Sequence, residues 1–117
     1  MAKRFALMLG GVLLVVGMAG WLTGGHDHEL VVFGINMAHN MVHVLSGALA
    51  IAASFAGERP AKLYCAIFGA IYALVGIAGL LNISAAVDLL NLNLADNVLH
   101  LGIAAGCLLA AKKSTAS

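Results

Sequence analysis

Leu30-Val-Val-Phe-Gly-Ile-Asn-Met-Ala-His-Asn-Met-Val-His-Val-Leu-Ser-Gly-Ala-Leu-Ala-Ile-Ala-Ala-Ser-Phe55 runs for 26 residues without a lysine, arginine, aspartate or glutamate. About 20 apolar residues cross a hydrocarbon core of ~30 Å at ~1.5 Å per residue. The stretch is therefore long enough to span a bilayer, yet it carries Asn36, His39, Asn40 and His43. These four stand at i, i+3, i+4 and i+7, so they share one face of a helix. Gly47, Ala50 and Ser54 continue that face with small side chains.

Three more apolar stretches, Phe5–Leu22, Leu63–Leu81 and Leu89–Ala111, flank this one, separated by short polar breaks. The whole chain of 117 residues is 62% hydrophobic and 9% charged, with a mean hydropathy of +1.02. Soluble domains carry about 25% charged residues, so there are too few charges here to cover a water-facing surface. A net charge of +1 excludes a nucleic-acid binder. The sequence thus predicts an all-α, integral membrane four-helix bundle forming one domain over residues 1–117, with the lipid bilayer as its first partner. Short breaks between antiparallel neighbours give an up-down-up-down order.

All six basic residues fall on one side of these spans: Lys3, Arg4, Arg59, Lys62, Lys112 and Lys113. The other side has Asp27, Glu29 and Asp88. By the positive-inside rule both termini are cytoplasmic and the protein lies in the bacterial inner membrane. Trp21 then sits at the outer interface. Lys3-Arg4 and the apolar run after them have the form of a signal peptide, but an internal repeat argues for a retained span.

That repeat aligns helix 1 with helix 3 at an offset of 59, matching Lys3/Lys62, Gly10/Gly69, Val16/Val75, Gly17/Gly76, Ala19/Ala78, Gly20/Gly79 and Leu22/Leu81. At an offset of 57, Asn36, Ala38, Asn40 and His43 recur as Asn93, Ala95, Asn97 and His100, while His39 becomes Asp96. Two parallel copies of a helical hairpin, residues 1–58 and 59–117, account for this. The small residues of helices 1 and 3 let backbones approach closely in lipid.

Ionisable groups deep in a bilayer cost at least ~2.5–3.5 kcal/mol each on insertion scales, so they face the bundle interior. With helix 2 starting near Leu30, His43 lies ~20 Å in, close to the midplane. The repeat sets His43 opposite His100 and His39 opposite Asp96. The first reading is a hydrogen-bonded cluster of Asn36, His39, Asn40, His43, Asn93, Asp96, Asn97 and His100 joining helices 2 and 4 in a non-enzymatic or accessory membrane protein. A second is a metal site of His39, His43, Asp96 and His100 for Zn, Fe or Cu, with the asparagines behind the ligands. A third is haem b held between His43 and His100. A proton or small-solute pathway is a fourth.

His26-Asp27-His28-Glu29 reads as a polar connection, or as a cluster that captures a cation above the buried site. Cys65 and Cys107 read as small buried hydrophobes. Tyr72, mid-depth on helix 3, needs a partner for its hydroxyl. No catalytic constellation stands out, and neither a homo-oligomer nor a larger membrane complex is excluded.

Asn36 to Gly47 has the pattern N-x-x-H-N-x-x-H-x-x-x-G, and Asn93 to His100 has N-x-x-D-N-x-L-H. In these two motifs and its glycine-rich helices the chain resembles a bacterial family of small four-helix membrane proteins known only as a domain of unknown function. The resemblance implies four spans and brings no activity, ligand or partner.

Overall fold

Helix α1 (Ala2–Thr23) lies along α2 (Met37–Ala56), and α3 (Glu58–Leu80) lies along α5 (Leu94–Lys113), in a computed structural model that describes residues 1–114. Glycines set both contacts. A Cβ on Gly10 would lie 2.8 Å from the carbonyl oxygen of Gly47, and one on Gly47 2.9 Å from that of Gly10. Two turns further, Gly17 abuts Val44 and the Asn40 carbonyl, as Gly76 abuts Leu101 and the Asn97 carbonyl. Gly20 lies directly under the Asn40 side-chain amide, and Gly79 under that of Asn97. The positions matched at offsets 59 and 57 thus make matching contacts. Without a hydrophobic drive between helices in lipid, such close backbone packing is what associates them. Gly17→Leu and Gly76→Leu are each expected to destabilise the bundle by ~1–3 kcal/mol, as overpacking does. Unfolding in detergent checks this; two variants as stable as the wild type would refute close packing at these points.

The two hairpins meet through α2 with α3 and through α1 with both α3 and α5, whereas the backbones of α2 and α5 stay apart. The gap between α2 and α5 is filled by side chains.

All four long helices, of 20 to 23 residues, are apolar and long enough to cross a membrane. The exposed surface carries Met8, Val15, Leu63, Leu74, Val98 and Leu109, while the buried set includes Asn40, His43, Asn97 and His100. This arrangement, polar within and apolar without, suits lipid rather than water.

The basic residues lie at one end. There a single residue, Gly57, joins α2 to α3 with φ 136° and ψ 179°, a conformation essentially confined to glycine. Next to it the Glu58 carboxylate accepts from the backbone N–H of Ala2 (2.7 Å), from the Met1 ammonium (3.2 Å) and from the Ser114 hydroxyl (3.0 Å). It thereby satisfies a first-turn donor of α1 that has no partner within its own helix.

The opposite end departs from an all-helical chain. Residues His28–Leu30 (β1) and Phe33–Ile35 (β2) form an antiparallel hairpin with Leu30 opposite Phe33, and Ser84–Leu90 form the short helix α4. Helix 2 therefore begins at Met37, not near Leu30, and the fourth span at Leu94, not Leu89. His43 and His100 each lie six residues into their helices, or ~9 Å at ~1.5 Å per residue. The midplane depth expected for them is corrected accordingly: they stand in the second turn, beneath the hairpin and α4.

Candidate functional site

The asparagines that open the two polar stripes are helix caps. The Asn36 Oδ1 accepts from the His39 N–H (2.9 Å), and the Asn93 Oδ1 from the Asp96 N–H (3.0 Å). Asp96 Oδ2 accepts in return from the Asn93 N–H (3.0 Å), completing a capping box. Each cap asparagine also reaches across to the other half. Asn36 Nδ2 donates to the Leu89 carbonyl (2.9 Å) and to Asp27 Oδ1 (2.9 Å). Asn93 Nδ2 donates to the Val32 carbonyl (2.9 Å) and to Glu29 Oε2 (3.3 Å). Asn91 adds bonds to the carbonyls of His28 (3.2 Å) and Ile35 (3.0 Å). The hairpin and α4 are therefore laced over the helix ends.

These bonds use up much of the His26–Glu29 loop. Asp27 and Glu29 go to the caps, and His28 has one ring nitrogen on the Thr23 hydroxyl (2.9 Å) and the other on the His26 carbonyl (2.6 Å). The loop is a connection tied at both carboxylates.

One turn below the caps the side chains of α2 and α5 converge. His39, His43 and His100 are 1–3% exposed, with ring centroids 4.4 Å (39–43), 5.4 Å (39–100) and 6.0 Å (43–100) apart. His39 Nδ1 donates to the Leu90 carbonyl at 2.9 Å, which leaves the Nε2 lone pair free. That Nε2, together with Nδ1 of His43 and Nδ1 of His100, is buried without a hydrogen-bond partner. The three rings border one cavity of about 40 Å³ with Phe68, Ile71, Tyr72 and Val75, and its wall is apolar. One nitrogen from each ring lies within 4.8 Å of the others. Tetrahedral ligation at ~2.0–2.1 Å would set them about 3.3 Å apart.

His39 thus faces His100 as well as His43. Asp96 is 1% exposed, but its carboxylate is turned to the cap and to the backbone at Gly34, and it is not among the three converging ligands. Asn40 and Asn97 lie against Gly20 and Gly79; both side-chain atoms of Asn40 and the Oδ1 of Asn97 have no partner. No hydrogen bond joins the α2 stripe directly to the α5 stripe among the described residues.

Tyr72 finds the partner its hydroxyl needs in Ser46 Oγ (2.9 Å), and its ring lies 5.4 Å from His100. Tyr64, stacked on Phe68, donates to the Ser46 carbonyl (2.8 Å). Neither Ser46 nor Tyr64 was marked by the stripe spacing, because Ser46 is offset from it and Tyr64 lies on a different helix. Cys65 and Cys107 are buried with alanines at the basic end, as small apolar residues would be.

Four membrane-length helices around a buried polar layer define a small multi-pass membrane protein. Residues 3–112 match the family described as "Domain of unknown function (DUF4383)". The chain belongs to that family. No curated protein and no solved structure matches it.

Proposed function

We propose that this protein binds one transition-metal ion through His39, His43 and His100. The observation that carries the reading is that three buried histidines each bring a ring nitrogen within 4.8 Å of the others, and each has a buried ring nitrogen without a hydrogen-bond partner. Buried polar atoms are usually paired, so unpartnered nitrogens on three neighbouring imidazoles favour a shared partner. The contact from His39 Nδ1 to a backbone carbonyl is the outer support that metal-binding histidines usually have. Three imidazoles suit Zn, Cu or Fe and leave a fourth position open.

In this reading the asparagines and histidines divide the work. Asn36, Asn91 and Asn93 lock the two halves together, and the histidines hold the ion. Haem is disfavoured by room: the cavities beside His43 measure about 40 and 140 Å³, whereas cofactor pockets run to ~300–1,000 Å³.

Elemental analysis and an optical spectrum of detergent-purified protein, after exposure to Zn²⁺, Cu⁺ or Fe²⁺, test the proposal. About one equivalent of metal is expected in the wild type and none in the His39→Ala/His43→Ala/His100→Ala protein. A folded wild type that takes up no metal refutes it.

The ends bearing Lys3, Arg4, Arg59, Lys62, Lys112 and Lys113 are assigned to the cytoplasmic side of the bacterial inner membrane, supported by the charge asymmetry. Reporter fusions at Glu29 and Asp88 should register outside, and those at Arg59 and after Lys113 inside. A cytoplasmic signal at Glu29 would invert the topology.

A further inference from the structure

We infer that the start of α3 holds an anionic phospholipid, with its head group on Arg59 and Lys62 and a hydrocarbon chain along Leu63 and Ala66. These four residues line a groove of about 350 Å³ at the basic end of the bundle. They stand at i, i+3, i+4 and i+7, on one face of the helix. The cations come first, and the apolar pair follows deeper along a membrane-length span. Arg59, Leu63 and Ala66 are exposed, so this face is turned away from the bundle interior.

The charges here are not balanced from within. Lys3 and Arg4 open α1, which has no acidic residue in its first turn, and Arg59 and Lys62 lie at the start of α3. A helix start carries the positive end of the backbone dipole, so cations there are disfavoured unless an anion is near. Glu58, beside Arg59 in the chain, is engaged by the Met1 ammonium, the Ala2 N–H and the Ser114 hydroxyl. Arg59 has no acidic partner among the described residues. Orientation in the membrane asks only for cations near this end. Lys112 and Lys113 provide them from the last turn of α5, where the dipole favours them. An anion carried by the membrane itself would complement the cations at the start of α3. A guanidinium grips phosphate oxygens two at a time, and Lys62 is a neighbour one turn away on the same face. The rest of the groove wall is apolar, which suits a hydrocarbon chain attached to that phosphate rather than a free ion.

Protein stripped of lipid in detergent is titrated with phosphatidylglycerol or with phosphatidylcholine of the same chains, and bound lipid is counted by native mass spectrometry. The wild type is expected to retain phosphatidylglycerol in preference, and inorganic phosphate should not displace it. In Arg59→Gln/Lys62→Gln the preference should fall about thirtyfold, the combined attraction of two cations for an anionic lipid. Lys112→Gln/Lys113→Gln removes as much charge from the same end and should leave the preference intact. Ala66→Phe fills the groove without altering charge and should weaken retention severalfold. Equal retention of the two lipids by the wild type overturns the inference. So does an equal loss in Lys112→Gln/Lys113→Gln, which would make the attraction a property of the whole basic end. Unchanged retention in Ala66→Phe removes the groove from it, and displacement by inorganic phosphate would make this a site for free anions instead.

Discussion

The His43→Ala protein is expected to fold, insert and purify like the wild type, and to bind metal more than a hundredfold more weakly. Loss of an outer-sphere support costs ~10–100-fold in metal affinity, and His43 is one of only three ligands. His39→Ala and His100→Ala should weaken binding comparably. Thermal unfolding provides a second readout. A ligand at a hundred times its Kd stabilises the folded state by ~2.7 kcal/mol, so metal should raise the wild-type transition and leave those of the three variants unmoved. Any stability lost from the metal-free variants is common to both arms and cancels. If metal shifts the His43→Ala transition as far as that of the wild type, the ion is bound elsewhere.

A second large effect is expected at Gly34. A Cβ there would fall on the backbone carbonyl oxygen of Asn91 and lie 3.1 Å from Asp96 Oδ2. Backbone cannot swing aside as a side-chain tip can, so in Gly34→Ala the strand itself must move. Asn91 is held in the left-handed region at φ 51°, and its amide anchors both strands through the carbonyls of His28 and Ile35. Overpacking costs ~1–3 kcal/mol, and each hydrogen bond lost adds ~0.5–1.5 kcal/mol. Gly34→Ala should therefore lower thermal stability by about 2–4 kcal/mol and speed amide exchange between residues 26 and 36. Gly11→Ala is the control: nothing lies within 4 Å of a Cβ there, and alanine favours a helix by ~0.5–1 kcal/mol over glycine. Equal stability of Gly34→Ala and wild type would show that the hairpin does not rest on α4 as described.

The four spans were legible in the sequence because length and hydropathy alone decide them, and so were the glycine contacts, since the repeat marks them twice. The burial of the two stripes followed from the cost of polar groups in lipid. The helix starts did not emerge, although their signal was present. Asn three residues before His39 or Asp96 is a capping pattern, but Leu30–Ile35 is as apolar as a helix interior and hid it. The hairpin itself has no usual turn signal: its tip is Val31-Val32, with Val31 at φ 60°, a conformation that β-branched residues seldom adopt. The partners of the histidines were half legible. The repeat equates His39 with Asp96, but it does not show that His39 also reaches His100 or that the Asp96 carboxylate bonds to its own cap. Ser46, Tyr64 and the Leu90 carbonyl carry no sequence mark, because they matter only through packing between elements distant in the chain.

The three imidazoles come two from α2 and one from α5. Identical hairpins paired about a dyad would present every side chain in duplicate, so they could offer two imidazoles or four around that axis, but never three. An odd set requires that both hairpins share one polypeptide and be free to differ at a single equivalent position. The exchange of histidine for aspartate between 39 and 96 is such a difference. It removes a would-be fourth imidazole and gives the bundle a distinct front and back, which two identical hairpins would not have.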